Sequence, residues 1–225
     1  MNPKTAYIGF DCETTGISPH APENAGLLEI GMIAYDADLT ELDAFSSLVR
    51  SPAATAHRAA GVGDFITDLH TDNGLFADLD AAEEPLELGD VEASALDFME
   101  TYSGWGTPPM LGSSITLDRV FLAAEMPRLL SKFHYRSVDA TSLAQAAAIT
   151  AGIDLAGLYS HSRAAHAHAW ANPGMSLVDA AKATRPNDDV ETPDAGSGAH
   201  RVLYDIRHSA ALIAVTLHHL RGRDN

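Results

Sequence analysis

The run Phe10-Asp11-Cys12-Glu13-Thr14-Thr15-Gly16 constrains this chain more than any other stretch, because it sets two carboxylates one residue apart at the end of an apolar segment. Tyr7, Ile8 and Phe10 predict a buried strand, and a strand's period of two points Asp11 and Glu13 to the same face. Two anions held that close repel, and each raises the other's pKa unless a cation sits between them. A divalent metal is the simplest resident: hard oxygen ligands suit Mg²⁺ or Mn²⁺, and phosphate oxygens and water normally complete such a site. Gly16 lets the chain turn tightly away from the strand end. Taken alone, the D-x-E pattern also fits ordinary surface acids, so the rest of the chain has to decide.

A chain of 225 residues is long enough to bury a good core and predicts one compact domain, residues 1–225. With 46% hydrophobic residues, no apolar run of membrane-spanning length and no charged-then-apolar leader, the expected location is the cytoplasm, with no membrane partner. Cys12 is the single cysteine, which excludes an intrachain disulfide and argues against a cysteine-based zinc site. A net charge of −17 argues against a stable complex with long nucleic acid, which relies on a broad basic surface. It leaves room for a site that grips a few nucleotides and neutralises phosphates with metal ions. Arg119, Arg136, Arg201 and Arg207 lie beside the chemically suggestive segments.

Further along, 18–25 reads as a loop, 27–35 as a central strand and 42–49 as a third strand, which together open the fold as a meander. Glu29 interrupts the central strand, either as a further metal ligand or as a carboxylate paired with a backbone or hydroxyl donor. Short helices are expected over 52–60 and 75–82 with a turn at 70–74 between them, and an amphipathic helix over 90–102. A strand at 110–113 delivers Ser114 and Asp118 to its far end, and helices follow over 117–124 and 127–133. One more strand is expected at 136–140, then a helix over 141–151 capped by Thr141. From about 152 to 199 the chain is rich in Ala, His, Pro, Asp and Gly and predicts a flexible surface insertion. Its His161, His166 and His168 either bind a metal or are simply solvated. Ile206, Ala210, Ile213, Leu217 and Leu220 form the stripe of a terminal helix packed on the sheet. The sum is an α/β fold with a mixed central sheet flanked by helices.

His200 and Asp205 stand at the start of that last helix. Five residues along a helix is about 140° off alignment, so both face one site if His200 lies in the preceding loop and Asp205 in the first turns. Asp11, Glu13, Asp118, His200 and Asp205 are the residue types that two-metal phosphodiester hydrolysis needs: four carboxylates for two divalent ions, and an imidazole to take the water's proton.

On this pattern the sequence resembles the DEDDh exonucleases of the ribonuclease H-like superfamily, and within them the oligoribonuclease branch. The closer match is carried by His70-Thr71 with Gly74-Leu75, by Gly112-Ser113-Ser114-Ile115 with Asp118-Arg119 and Phe121, and by Met126-Pro127 through Phe133-His134-Tyr135-Arg136 to Asp139 and Leu143. The resemblance implies a ribonuclease H-like exonuclease fold and a 3′-to-5′ exoribonuclease that acts on short single-stranded RNA as a homodimer with two Mg²⁺ or Mn²⁺ ions. It makes Asp11, Glu13, Asp118 and Asp205 the metal ligands and His200 the general base. It places Ile17 as a wedge between terminal bases, Phe65 as a stacking platform and His70 among the substrate contacts. Ser114, Arg136 and Thr141 match positions that cap the 5′ phosphate, with Tyr135 and Arg136 supplied by the other subunit. Core roles for Ile17 and Phe65, and a plain dimer contact for Tyr135, are the alternatives. The Glu13-Thr14-Thr15-Gly16 wording is closer to DNA-proofreading relatives, and Phe65 and Ser113 replace a tryptophan and an asparagine. A broader DNA and RNA exonuclease is therefore the second reading, and an inactive nucleotide-binding module the third.

Overall fold

The computed structural model describes residues 5–82, 87–102, 106–188 and 201–222. Strands β1 (Tyr7–Thr14), β2 (Leu27–Tyr35) and β3 (Glu41–Leu48) pair antiparallel as a meander. β1 also pairs in parallel with β4 (Met110–Gly112), and β4 with β5 (Ser137–Asp139). The result is a five-stranded mixed sheet in the order β3-β2-β1-β4-β5. Every residue of β2 is buried, because helices cover both faces of the sheet and its neighbours cover both edges.

The strand period sorts the side chains into two cores. Ile8, Phe10, Ile30, Met32 and Ala34 face a layer made by α4 (Leu88–Tyr102), α5 (Thr116–Glu125) and α6 (Pro127–Leu130). Ile33, Tyr35 and Leu111 face a second layer of α7 (Ala140–Ala151), α8 (Leu155–Ala171), α9 (Leu177–Ala183) and α10 (Val202–Arg221). Three short helices, α1 (Pro52–Ala60), α2 (Asp64–Asp72) and α3 (Leu75–Ala81), follow β3, and Ala54, Leu75 and Leu79 close over Leu28.

α10 rests directly on the sheet because two strand residues have no side chain. A Cβ on Gly31 would lie 2.7 Å from the Cβ of Val202, and one on Gly9 would run into the Cγ2 of Ile206. The guanidinium of Arg207 adds a second tie, donating from Nε (2.9 Å) and Nη2 (2.8 Å) to the two carboxylate oxygens of Glu41 at the start of β3.

Several expectations change. The stretch over 152–199 is not a flexible appendage where it is described: α8 and α9 pack on α10, with Ala165, Ala180 and Ala181 buried in the same cluster as Ala210, Ala211 and Ala214. Alanine is a strong helix former, and small side chains let helix axes approach closely, so low apolar bulk here marks tight packing rather than exposure. Gly152, left-handed at φ 60°, ends α7, and Asp154 caps α8 by accepting from the Gly157 N–H at 2.8 Å. His161 and His166 are buried between these helices instead of solvated. The turn expected at 70–74 begins only at Asn73, since α2 runs through His70 to Asp72. The cap of α7 is Asp139, which accepts from the Ser142 N–H at 2.7 Å, and not Thr141.

The histidines of this layer make its docking pH-sensitive. His166 is pushed down to about 4 by burial, then by His208 and Arg207, and His208 is pushed down to about 4 by burial and Arg163. His161, which lies 3.0 Å from His219 (Nδ1 to Nε2), is lowered by burial and by His219. The unfolded chain takes up these protons near pH 6.5, whereas the folded chain takes up those of His166 and His208 only near pH 4, so their linkage destabilises the fold progressively as pH falls through that window, and the lowered His161 acts in the same direction. Hydrogen exchange, corrected for the intrinsic rate, should show α8 and α9 losing protection between pH 7 and pH 5 while β2 keeps its own. Equal protection at both pH values would contradict this reading.

Candidate metal centre

Asp11 and Glu13 leave β1 on the face that carries Gly9, where α10 lies, as the strand period predicts. Gly31 is the cross-strand partner of Asp11, and Val202 of α10 sits over it. Asp205 is one turn further along α10 on the same side, so the close seat of the helix carries its carboxylate to the strand end. Asp11, Glu13 and Asp205 each offer an oxygen within 4.8 Å of the others. Among the described residues this is the one group of three or more acidic, histidine or cysteine side chains so arranged.

Asp118 comes from the first turn of α5, which starts just beyond β4, and is buried. Its Oδ1 accepts from the Cys12 N–H at 3.1 Å and from the Cys12 thiol at 3.3 Å, which fixes the carboxylate against β1. On the other side His70, also buried, donates from Nε2 to the Thr14 carbonyl at 3.0 Å. It thus supports the strand end through the Thr14 carbonyl.

The electrostatics are those of closely crowded anions. Burial raises Asp11 well above the usual carboxylate range, and Asp118, Asp205, Glu13 and Glu29 raise it further. Glu13 is pushed up to about 8 by burial, then by Asp205 and Glu29, against a lowering influence from Arg201. Asp118 is raised to about 7, chiefly by burial. Closely spaced, oxygen-only, mutually repelling donors are what a small divalent cation relieves, so the residues present fit Mg²⁺ or Mn²⁺.

The expected substrate residues fall into two groups. Ile17 follows β1, Ser114 follows β4 and Thr141 follows β5, so all three emerge at the carboxyl ends of parallel strands, the same edge as the acids. Ile17 is 73% exposed and Phe65, on α2, is 76% exposed, which sets aside the core alternative for both. Tyr135 and Arg136 precede β5 and so leave it at the opposite end from Thr141, stacked on one another with the guanidinium 5.3 Å from the ring centre. His200 lies outside the described residues. Glu29 is not held by a backbone or hydroxyl donor but by Arg201, 172 positions away. Nor are Arg201 and Arg207 open to phosphate, since carboxylates take their guanidinium groups.

Comparison with known proteins agrees with this geometry. The profile of the family described as Exonuclease matches residues 8–213. The chain is 35% identical over 141 residues to an oligoribonuclease of Leifsonia xyli, a match spanning 62% of the chain and 64% of that relative. It is 35% identical over 144 residues to the oligoribonuclease of Alcanivorax borkumensis (62% of the chain, 74% of the relative) and 32% identical over 151 residues to that of Thiobacillus denitrificans (65% and 76%). The fold is similar to the zinc-bound form of an Escherichia coli ExoI–ssDNA complex, with a TM-score of 0.56 at 13% identity over 96% of this chain and 41% of that one. The chain belongs to the exonuclease family, in its DEDDh oligoribonuclease-type branch.

Proton release on metal binding tests the cluster. Because Glu13 and Asp118 keep protons up to about 8 and about 7, a divalent ion displaces protons at pH 6.5 but few at pH 9, and affinity rises with pH in between. Mn²⁺ calorimetry in two buffers of different ionisation enthalpy should show this release at pH 6.5. Zero release there would contradict the raised acidities.

Proposed function

We propose that this chain is a metal-dependent 3′-to-5′ exoribonuclease that removes nucleoside 5′-monophosphates from RNA a few nucleotides long, as a cytoplasmic homodimer using Mg²⁺ or Mn²⁺. The observation that carries the reading is the meeting of Asp11, Glu13 and Asp205 at the sheet edge, with Asp118 fixed against the same strand. These four carboxylates would hold the divalent ions. When bound, such ions activate water and stabilise the leaving oxygen of an in-line displacement.

The chain's own groups do the rest. His200, placed by sequence just ahead of Arg201, takes the proton of the attacking water. Ile17 and Phe65, both large, apolar and exposed, stack or wedge the last bases, a contact worth about 1–3 kcal/mol per base. Ser114, exposed at a left-handed φ of 55°, and Thr141 take the 5′ phosphate, with Tyr135 and Arg136 of a second subunit completing the cap. A cap at a fixed distance from the acids selects short substrates, and a surface of net charge −17 offers little to longer ones.

Asp11→Asn or Asp118→Asn should cut kcat on a 5′-labelled RNA dinucleotide to about a hundredth or less, because each deletes a ligand. Without metal, Asp11→Asn should unfold no earlier than the parent on heating, since it relieves repulsion in the cluster. A variant retaining most of its rate would mean the wrong carboxylates have been chosen. His200→Ala should lower kcat by about 10²–10⁴ with KM little changed. If a long single strand of DNA proves the better substrate in kcat/KM, the short-RNA reading goes. A monomeric mass in solution with undiminished activity would remove the dimer.

A further inference from the structure

Glu29 is the cross-strand partner of Glu13, so its side chain leaves β2 on the same sheet face, within the short reach of directly opposed strand residues. By chemistry and position it is a fifth carboxylate beside the metal cluster, and like Asp118 it stands outside the group formed by Asp11, Glu13 and Asp205. What distinguishes Glu29 is its pairing with Arg201. Its Nε donates to Glu29 Oε2 at 2.9 Å and its Nη2 to Oε1 at 3.0 Å, a fork that occupies both oxygens, while Nη1 reaches Asp78 of α3 at 2.8 Å. Arg201 is also the residue from which α10 starts, so the fork joins β2, α3 and the helix that bears Asp205.

Building on the reading of this cluster as a divalent-metal site, we infer that Arg201 is a positioning residue that withholds Glu29 from the metal and so keeps the site at four carboxylates. Bidentate guanidinium–carboxylate geometry is rigid and charge-assisted, and a lysine presents only one point of charge in its place. The number of anionic ligands sets cation affinity. A site one carboxylate richer grips its ions harder and leaves fewer positions for substrate oxygens. The pairing therefore keeps the ions exchangeable and the coordination open to phosphate.

The test is a double-mutant cycle on Mn²⁺ affinity, measured by calorimetry without substrate, using Glu29→Gln, Arg201→Gln and the double variant. With Arg201 present, Glu29→Gln should change the affinity by less than about threefold, because Glu29 is already withheld. In the Arg201→Gln background the same substitution should weaken binding by about tenfold, because there Glu29 has become a ligand. The loosened start of α10 is common to both members of that second pair and cancels. An equal effect of Glu29→Gln in both backgrounds, in folded proteins, overturns the inference. If Arg201→Gln does not fold, the cycle is run with Arg201→Lys, which keeps the charge but not the fork, and the same inequality decides. Should Asp11→Asn bind Mn²⁺ as tightly as the parent protein, the reading of the cluster itself fails and the role of Arg201 falls with it, whereas an equal effect in both backgrounds beside a weakened Asp11→Asn overturns the role of Arg201 alone.

Discussion

The close seat of α10 on Gly9 and Gly31 is the constraint on which the rest of this structure depends. A sheet with ordinary side chains at those two positions would hold the helix further away, and Asp205 would not reach Asp11 and Glu13. The two glycines carry a conformational cost, as glycine in a strand does, and the packing of Val202 and Ile206 against bare backbone offsets it. The ion pairs of Arg201 with Glu29 and of Arg207 with Glu41 then fix the helix at two points along its length, one at each end of β2's neighbourhood. Behind α10, the alanine faces of α8 and α9 press it onto the sheet.

That seat adds Asp205 to the carboxylates of β1 and α5 at one strand end, at an electrostatic cost. Asp11, Glu13 and Asp118 all hold their protons more tightly than free carboxylates do, chiefly through burial. A divalent cation turns the same repulsion into affinity, so the stability forgone in the metal-free protein becomes the driving force for loading it. The linkage has a definite direction. A carboxyl whose folded pKa is raised stabilises the metal-free fold at low pH and loses that contribution as pH rises through the folded value, about 8 for Glu13. The buried His161 and His166 of α8 and the half-buried His208 of α10 work the other way, losing their contribution as pH falls below about 6.5.

Much of this was legible in the sequence, and for physical reasons. The period of two that points Asp11 and Glu13 to one face, the small apolar strand that leads to Asp118, and the 3.6-residue stripe of α10 are local signals, and the sheet, the acids and the terminal helix follow from them. What the sequence concealed was non-local or disguised. Glu29 was visible as an oddity within an apolar strand, but its partner Arg201 lies 172 positions on and no local pattern joins them. α8 and α9 were disguised by alanine, whose low bulk reads as exposure although it is what lets three helices pack closely. His70 fell in an apparent turn, whereas its helix is fixed by tertiary contacts, including its own hydrogen bond to Thr14.

The most direct test of the account is the Mn²⁺ affinity of Gly31→Ala, read beside its circular dichroism and thermal unfolding. One methyl group at that position leaves Asp11, Glu13 and Asp118 in place but forces Val202, and α10 with it, off the sheet. The account predicts a folded protein, less stable than the parent, whose Mn²⁺ affinity has dropped by about 10–100-fold through displacement of Asp205 alone. A folded Gly31→Ala protein that binds Mn²⁺ as tightly as the parent would contradict it, since the site would then not depend on where the helix rests.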